Sequence, residues 1–502
     1  MAVSGALLGV RGVLKEAVHT KSGLVGFSML AFLLALVVAV PFYAPYNVIR
    51  AWGSLEPWVD NPRYAQPDWV DAFSEIKQPR TLIMSQCFTP NTVPISATTG
   101  PEPCPSGGWS RIAVRVQQFG NLTRIILTRK FTFTADAFPS ELRLSTWALF
   151  GSNGTQLIMN WTRPDGTYIV LMQRGLDGTR KAPTAQNFPL SQDEDLKKTV
   201  GAWANQTYGA SFNATNPSVV AAFRPEVALF AKPGKGMLNV STASVFKGEY
   251  TVVLQVDGFG GDVGFDAKAV VYGTVFGLAG TDEKRRDLLV GLLWGAPVAL
   301  AFASVAAVVI VLLQIVLGAI ATWYGGWFDE LVQRASDLLL ILPILPILIL
   351  ISIVYSPGIW AILVVLVIFG VVGSSSKIAR SIVLQVREEP YIEAAVSYGA
   401  SRTRILFKHI MPRLLPYTFA LITLSVPSFI FLEASLSFLG LGDPLLPTWG
   451  SILGDAYSGS APFRGFWWWI AFPAGGIIFA TVAFALLGYS FDKVLNPRLR
   501  EE

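Results

Sequence analysis

The sequence predicts an α-helical membrane protein of six spans with a β-rich domain inserted after the first span. Three observations carry that prediction. Apolar residues make up 52% of the 502 positions and mean hydropathy is +0.48, above what a water-exposed chain needs for its core. The composition changes abruptly near residue 46 and changes back near residue 284. Between Lys377 and Arg413, finally, seven Lys/Arg stand against three Glu, flanked by apolar runs on both sides. That segment holds most of the net charge of +5, so the basic surface is not the broad, aromatic-interleaved kind that nucleic acid requires. Under the positive-inside rule it is cytoplasmic.

Residues 1–22 are short and mildly basic, through Arg11, Lys15 and Lys21 against Glu16. They read as a cytoplasmic N-terminus. The uncharged run that follows is long enough to span a bilayer and lacks a small-x-small cleavage site, so residues 23–45 are predicted to be a retained first span rather than a signal peptide. Residues 46–284 alternate polar and apolar residues, as in Tyr250-Thr-Val-Val-Leu-Gln-Val256, with DG and PDG turns between the runs. Period-two patterning rich in Val, Ile, Thr and Tyr predicts strands, and a segment of this length can bury a core of its own.

Two features place this domain outside the cell. Six of the twelve asparagines lie in N-x-S/T sequons, and all six fall here: Asn121, Asn153, Asn160, Asn205, Asn213 and Asn239. The two cysteines, Cys87 and Cys104, are also here, and a disulfide between them requires an oxidising compartment. The alternative for the cysteines is a pair of buried thiols. No CxxC or Cys/His cluster suggests zinc.

Residues 285–502 return to membrane character. Leu288 to Ala321 is uncharged and longer than one span needs, and Pro297 is expected to divide it into an interfacial lead-in and the second span. Spans three and four are expected over 331–355 and 359–373, with Pro343 and Pro346 kinking the third. Spans five and six follow over 417–438 and 466–489, with both termini inside. Arg334 and Asp337 are expected to pair at the membrane interface, and Trp467, Trp468 and Trp469 to form an outer aromatic belt. Glu433 lies within the fifth span, where an ionisable group is costly; a structural or gating role is favoured over substrate contact, with Ser435 as one partner.

Within 377–416, Glu388 and Glu389 precede Pro390, which sets negative charge and a fixed φ at a helix start. Ile392, Ala395 and Val396 give that helix a narrow apolar face, and Gly399 is placed to end it in the left-handed conformation. Ser401 is placed to cap a second helix carrying Arg402, Arg404 and Lys408 and ending near Pro412. Glu393-Ala394-Ala395, then Gly399, then His409, Ile410, Met411 and Pro412, resembles the EAA loop of ABC-importer permeases. Leu436-Ser-Phe-Leu-Gly-Leu-Gly442, Pro447-Thr-Trp449-Gly450, and the terminal Asp492 with Asn496-Pro497-Arg498 resemble the second, C-type permease of the dipeptide/oligopeptide family. Gly280-Thr-Asp282 and Arg286-Asp287 resemble its GTDxxGRD lead-in, with Arg285 in place of the glycine and Pro297 where the family usually has arginine.

The resemblance covers the first span and roughly Gly280 to the end, and it implies a type I ABC-importer permease fold in the plasma membrane. It further implies a second homologous permease, two ATPase subunits that hold the ATP and Mg, and an extracellular solute-binding protein. The cargo would be a di- or oligopeptide or an oligosaccharide. The chain itself carries no P-loop and no cofactor motif, and its only histidines, His19 and His409, are assigned to the cytoplasm. It therefore reads as a transporter subunit, not an enzyme. The alternative from another class is a membrane-anchored receptor with an extracellular ligand-binding domain.

Overall fold

The computed structural model describes residues 10–85, 113–149, 155–176, 184–259, 264–355, 358–443 and 446–495. The chain forms two compact units, Met1–Leu55 with Leu288–Glu502, and Glu56–Asp287. The first unit opens with α1 (Val10–His19) and α2 (Lys21–Tyr43). Thr20 caps α2, its Oγ1 accepting from the Gly23 N–H at 3.0 Å and sharing a hydrogen bond with Ser490 at 2.7 Å.

Among the described residues the second unit holds two antiparallel sheets. Its strands are β1 (Leu82–Ser85), β2 (Ala113–Phe119), β3 (Leu122–Phe133), β4 (Glu141–Leu149), β5 (Gln156–Thr162), β6 (Tyr168–Gly175), β7 (Thr184–Phe188), β8 (Gly248–Phe259) and β9 (Gly264–Tyr272). The orders are β1-β9-β4-β7 and β2-β3-β8-β5-β6. Alternation sets the register: along β3, Ile125, Leu127, Phe131 and Phe133 point into one core with Leu142 and Leu144 of β4 and Phe265 and Val271 of β9. At its centre Phe131, Trp161, Phe230 and Tyr250 meet, with Phe230 and Tyr250 centroids 4.8 Å apart; aromatic pairs of this kind add about 0.5–1.5 kcal/mol each beyond their buried area.

Among the described residues, the longest helix in this unit, α3 (Glu194–Tyr208), escapes the period-two reading. Its signals are helical: Asp193 caps it, accepting from Leu196 N–H at 3.0 Å, Leu196, Val200 and Ala204 are buried at spacings of four, and Gly209 closes it in the left-handed region.

The two ends of the unit are laced together. Thr281 Oγ1 donates to Pro62 O at 2.7 Å and accepts from Ala65 N–H at 2.9 Å, while Gln66 pairs in parallel with Val275. Arg285 stands in the left-handed region at φ +66°, where the resembling motif has glycine. Its buried guanidinium lies 4.0 Å over the Tyr272 ring, donates to Asn61 O at 2.7 Å and pairs with Glu141. These contacts are what hold an unfavoured backbone conformation in place.

The first unit resumes with α4 (Leu288–Tyr324), α5 (Gly326–Ile341), α6 (Ile344–Tyr355), α7 (Ile359–Phe369), α8 (Ser374–Arg387), α9 (Pro390–Ser397), α10 (Arg402–Ile405), α11 (Met411–Phe438), α12 (Trp449–Ser458) and α13 (Trp467–Leu495). Among the described residues, five helices or helix runs are long and apolar enough to cross a membrane, or six if α5 and α6 count as one span.

Several expectations are corrected here. Pro297 does not divide its run; α4 is continuous across it, because a helix packed on its neighbours tolerates the lost hydrogen bond. The third span is broken, not merely kinked: α5 and α6 bend by 77° at Leu342-Pro343. Pro343 excludes the α conformation at Leu342, which takes ψ 126° instead. The second helix of the charged segment does not end near Pro412. A π turn over Leu406–Ile410 carries α10 into α11 without a break, since widening the turn makes room for the proline ring. Of the three tryptophans only Trp467 is exposed, at 43%; Trp469 is 1% exposed, because successive helical residues point about 100° apart and cannot share one face.

Candidate functional site

The charged segment is built from two helices fixed at a glycine. Pro390 occupies the first turn of α9 and Glu389 its N-cap. At the other end Gly399 takes φ +76°, its N–H bonding to Val396 O at 2.9 Å while the Ala400 N–H reaches Ala395 O at 3.1 Å. This double closure is a Schellman motif, and only a residue at ease with positive φ completes it without strain. Ser401 then caps α10, its Oγ accepting from the Arg404 N–H at 3.3 Å.

The inner side of this corner packs on the first unit's helices. Ile392, Ile405, Leu406 and Ile410 join Val311, Ile315 and Ala319 of α4 and Ala379 and Val383 of α8 in one apolar cluster. Trp323 Nε1 donates to Arg402 O at 3.0 Å, tying α10 to the end of α4. The outer side is unshielded: Glu393, Ala394, Arg402, Arg404, Lys408 and Pro412 are exposed, and Tyr398 is 92% exposed. Ala395 and His409 are half-buried, His409 beside Tyr391 at 6.2 Å between ring centres. Val396 departs from the expected inner face; it is 56% exposed, because the short helix turns Ile392 into the apolar cluster with Tyr391 and Ala395 beside it, and Val396 lies off that face. The outer surface thus pairs cationic side chains on α10 with aromatic and small ones on α9. Of the expected segment 377–416, residues 377–387 belong to α8 and residues 411–416 to α11.

Glu433 is fully buried on α11. Its Oε1 accepts from Ser437 Oγ at 2.6 Å, and the Thr448 hydroxyl that caps α12 lies beside it. Ser435 is not the partner: at i+2, two residues short of the i+4 spacing, it donates to Phe431 O instead. The expected Arg334–Asp337 pair is also replaced. Arg334 pairs with Glu330 one turn back, and Asp337 with Lys377 of α8. At the break between α5 and α6 lies a cavity of about 190 Å³, bounded by Gln314, Gly370 and Phe429 among others. Sequence reasoning missed it, although Pro343 signals the break.

The sequon residues divide by environment. Asn121, Asn213 and Asn239 are exposed at turns, whereas the Asn205 amide donates to and accepts from Phe212 at 2.8 Å, and Asn160 sits within β5 with its Oδ1 buried. Asn153, Cys87, Cys104, Asn496, Pro497 and Arg498 lie outside the described residues. Among the described residues no group of His, Cys, Asp and Glu could hold a metal ion.

Residues 314–501 match the family model described as the binding-protein-dependent transport system inner membrane component. The oligopeptide transport system permease protein OppC of Bacillus subtilis is 35% identical over 223 residues, 44% of this chain and 72% of its own length. The dipeptide transport system permease protein DppC of the same organism is 35% identical over 222 residues, 44% and 68%. A glutathione transport system permease protein, GsiD of Pectobacterium atrosepticum, is 31% identical over 224 residues, 44% and 72%. The sheets of the second unit lie outside the family model's span.

Proposed function

Because this chain belongs to the binding-protein-dependent peptide permeases, we propose that it is the membrane subunit of an ATP-driven peptide importer, with Glu393–Lys408 as the surface that receives an ATPase subunit. The observation that carries the reading is the exposed corner at Gly399, whose inner side is welded to α4, α8 and α11. Force applied to that corner passes into α11 through a continuous helix, with no loop to absorb it. Two ATPase subunits with ATP and Mg, a second homologous permease and a solute-binding protein complete the assembly, and closure of the ATPases would tilt the helices between outward- and inward-facing states. The relatives are permeases, which leaves the receptor alternative without support, and the substrates in their names favour peptide over oligosaccharide.

Buried Glu433 has a structural role in this reading: held by Ser437 of its own helix, it joins α11 to the cap of α12 through Thr448. The charged segment is cytoplasmic and the sheet unit external, with glycans on Asn121, Asn213 and Asn239 and a bridge between Cys87 and Cys104. Mild-detergent purification from the native host, with mass spectrometry of what accompanies the chain, tests the reading. Recovery of two ATPase subunits and peptide-stimulated ATP hydrolysis is the expected outcome; a chain isolated without any ATPase would refute it.

A further inference from the structure

A groove of about 720 Å³ in the sheet unit runs between β6 and α3. One wall is the four consecutive residues from Thr167 to Val170, the other is Thr199, Ala202, Trp203, Gln206 and Thr207. Successive side chains of a strand point to opposite faces, so a groove lying on one face would touch every second residue. Contact with three strand residues in a row, Tyr168 to Val170, after Thr167 at the turn, puts it along the strand's margin, where main-chain N–H and C=O groups lie. β6 is the terminal strand of its sheet and pairs only with β5 among the described residues, so those outer groups have no strand opposite them. Tyr168 is 69% exposed and Val170 also stands clear of the core.

The opposite wall is one face of α3, its positions spaced by three and four, and it offers two hydroxyls, an amide and an indole. The indole is held in place from behind. The buried Arg163 guanidinium lies 5.4 Å from the Trp203 ring, and Tyr208 meets that ring edge-on at 5.3 Å. Tyr208 is itself hydrogen-bonded to Asp165 at 2.8 Å and Thr167 at 2.9 Å, which closes one end of the groove. At the other end the β5–β6 register shifts between Met159 and Asn160, and such a bulge interrupts the regular row of donors and acceptors. About four residues of extended chain, at ~3.3 Å each, fit between these limits. Among the described residues no charged side chain lines the groove, so recognition there falls to main-chain hydrogen bonds and to shape.

We propose that this groove binds an extended oligopeptide, the importer's own cargo, as one further strand alongside β6 with Trp203 against its outer side. The inference rests on the peptide-permease reading for the identity of the occupant. Strand addition of this kind takes affinity from the backbone and is tolerant of sequence.

The test uses the full chain assembled with its ATPase and permease partners, without the solute-binding protein. Equilibrium dialysis measures binding of the radiolabelled tetrapeptide Thr-Val-Thr-Val and of its singly N-methylated derivatives to the assembly and to an Ala202→Trp variant that fills the groove. In the component abolished by Ala202→Trp, N-methylation at amides turned toward β6 weakens binding about tenfold, and at the alternate amides by less than about twofold. A response without alternation, or an Ala202→Trp assembly that binds like the parent, overturns the proposal; Gln206→Trp, at a second exposed position of the same wall, defines the same component if the first variant misfolds. ATP-driven uptake of the same peptide, measured with the solute-binding protein restored, separates the two readings. No uptake by the parent assembly rejects the permease reading, whereas uptake with a flat N-methyl response rejects the groove alone.

Discussion

Gly399 carries the sharpest single-residue consequence. A Cβ added there meets nothing within 4 Å, so a larger residue is resisted only by the left-handed backbone, at φ +76°. Gly399→Val should therefore cost about 1–2 kcal/mol, which a membrane core absorbs. The cost falls on the angle between α9 and α10, so we expect normal expression, weakened ATPase-subunit binding and lost uptake, with Gly399→Ala milder. Uptake at the parental rate by Gly399→Val, measured in proteoliposomes, would count against the coupling role. A second residue-scale prediction concerns Asp257, directly across from Arg124 on β8 and β3 and bonded to it twice, at 2.7 and 2.9 Å. The Arg124 hydrogen bond holds the Asp257 carboxyl below its usual range against an opposing burial effect. With the folded pKa depressed, the stabilisation is complete above the unfolded value near 3.8 and is lost as pH falls through the lower folded value. The pair is partly open to solvent, so about 0.2–1 kcal/mol is at stake. Asp257→Asn should lower the sheet unit's neutral-pH stability by that amount and converge with the parent at low pH, flattening the acid limb; an acid limb as steep as the parent's would rule the pair out. Caps such as Pro390, Gly399 and Ser401 were legible in the sequence because their chemistry is local. The Ser437 partner of Glu433 and the left-handed Arg285 were not, since each depends on contacts the sequence does not display.

At the scale of elements, the bilayer-length runs were legible but their continuity was not. Proline was read as a divider at Pro297 and as a terminator at Pro412; packing against neighbouring helices carries the helix through at the first, and the π turn over Leu406–Ile410 at the second. At Pro343 the break is complete, with α5 and α6 meeting at 77°. The short helix α12 shows how tightly these elements are fitted. A Cβ on Gly450 would come within 2.3 Å of Ala434 O on α11, and one on Gly454 within 2.5 Å of Phe438 O. Main-chain atoms cannot rotate away as side chains do, so overpacking here costs about 1–3 kcal/mol or more. Gly450→Leu should lift α12 from α11, separating Thr448 from Glu433. Cysteines placed at Ala434 and Ser451 would report this, with cross-linking changed from the parent; an unaltered cross-linking yield would mean the helix pair tolerates the insertion.

For the whole molecule, a helical unit interrupted by a sheet-rich one was legible from composition alone. The internal topology of the sheets was not, because strand order depends on pairings between distant segments such as β3 with β8. Placing the sheet unit outside predicts that protease added to intact cells removes residues 56–287 and spares the helices. It also predicts glycans in the native host on Asn121, Asn213 and Asn239 rather than on Asn160 or Asn205, whose amides are engaged or buried. Peptide mapping of the secreted-side fragments checks both statements. Protection of the sheet unit in right-side-out vesicles would reverse the orientation.

The lacing between residues 61–66 and 274–285 has a temporal consequence. Its partners are separated by up to 224 positions, as in Asn61 with Arg285, so the last staple of the sheet unit is synthesised long after the first. At roughly 5–20 residues per second of synthesis, the leading segment waits on the order of 10–45 s for its partner. During that interval a nascent sheet has unpaired margins and an open core while α4 has yet to be made. Maturation of this protein is then governed by arrival of Thr281 and Arg285, and slowing translation just before residue 281 should prolong dependence on chaperones more than the same pause placed after residue 300.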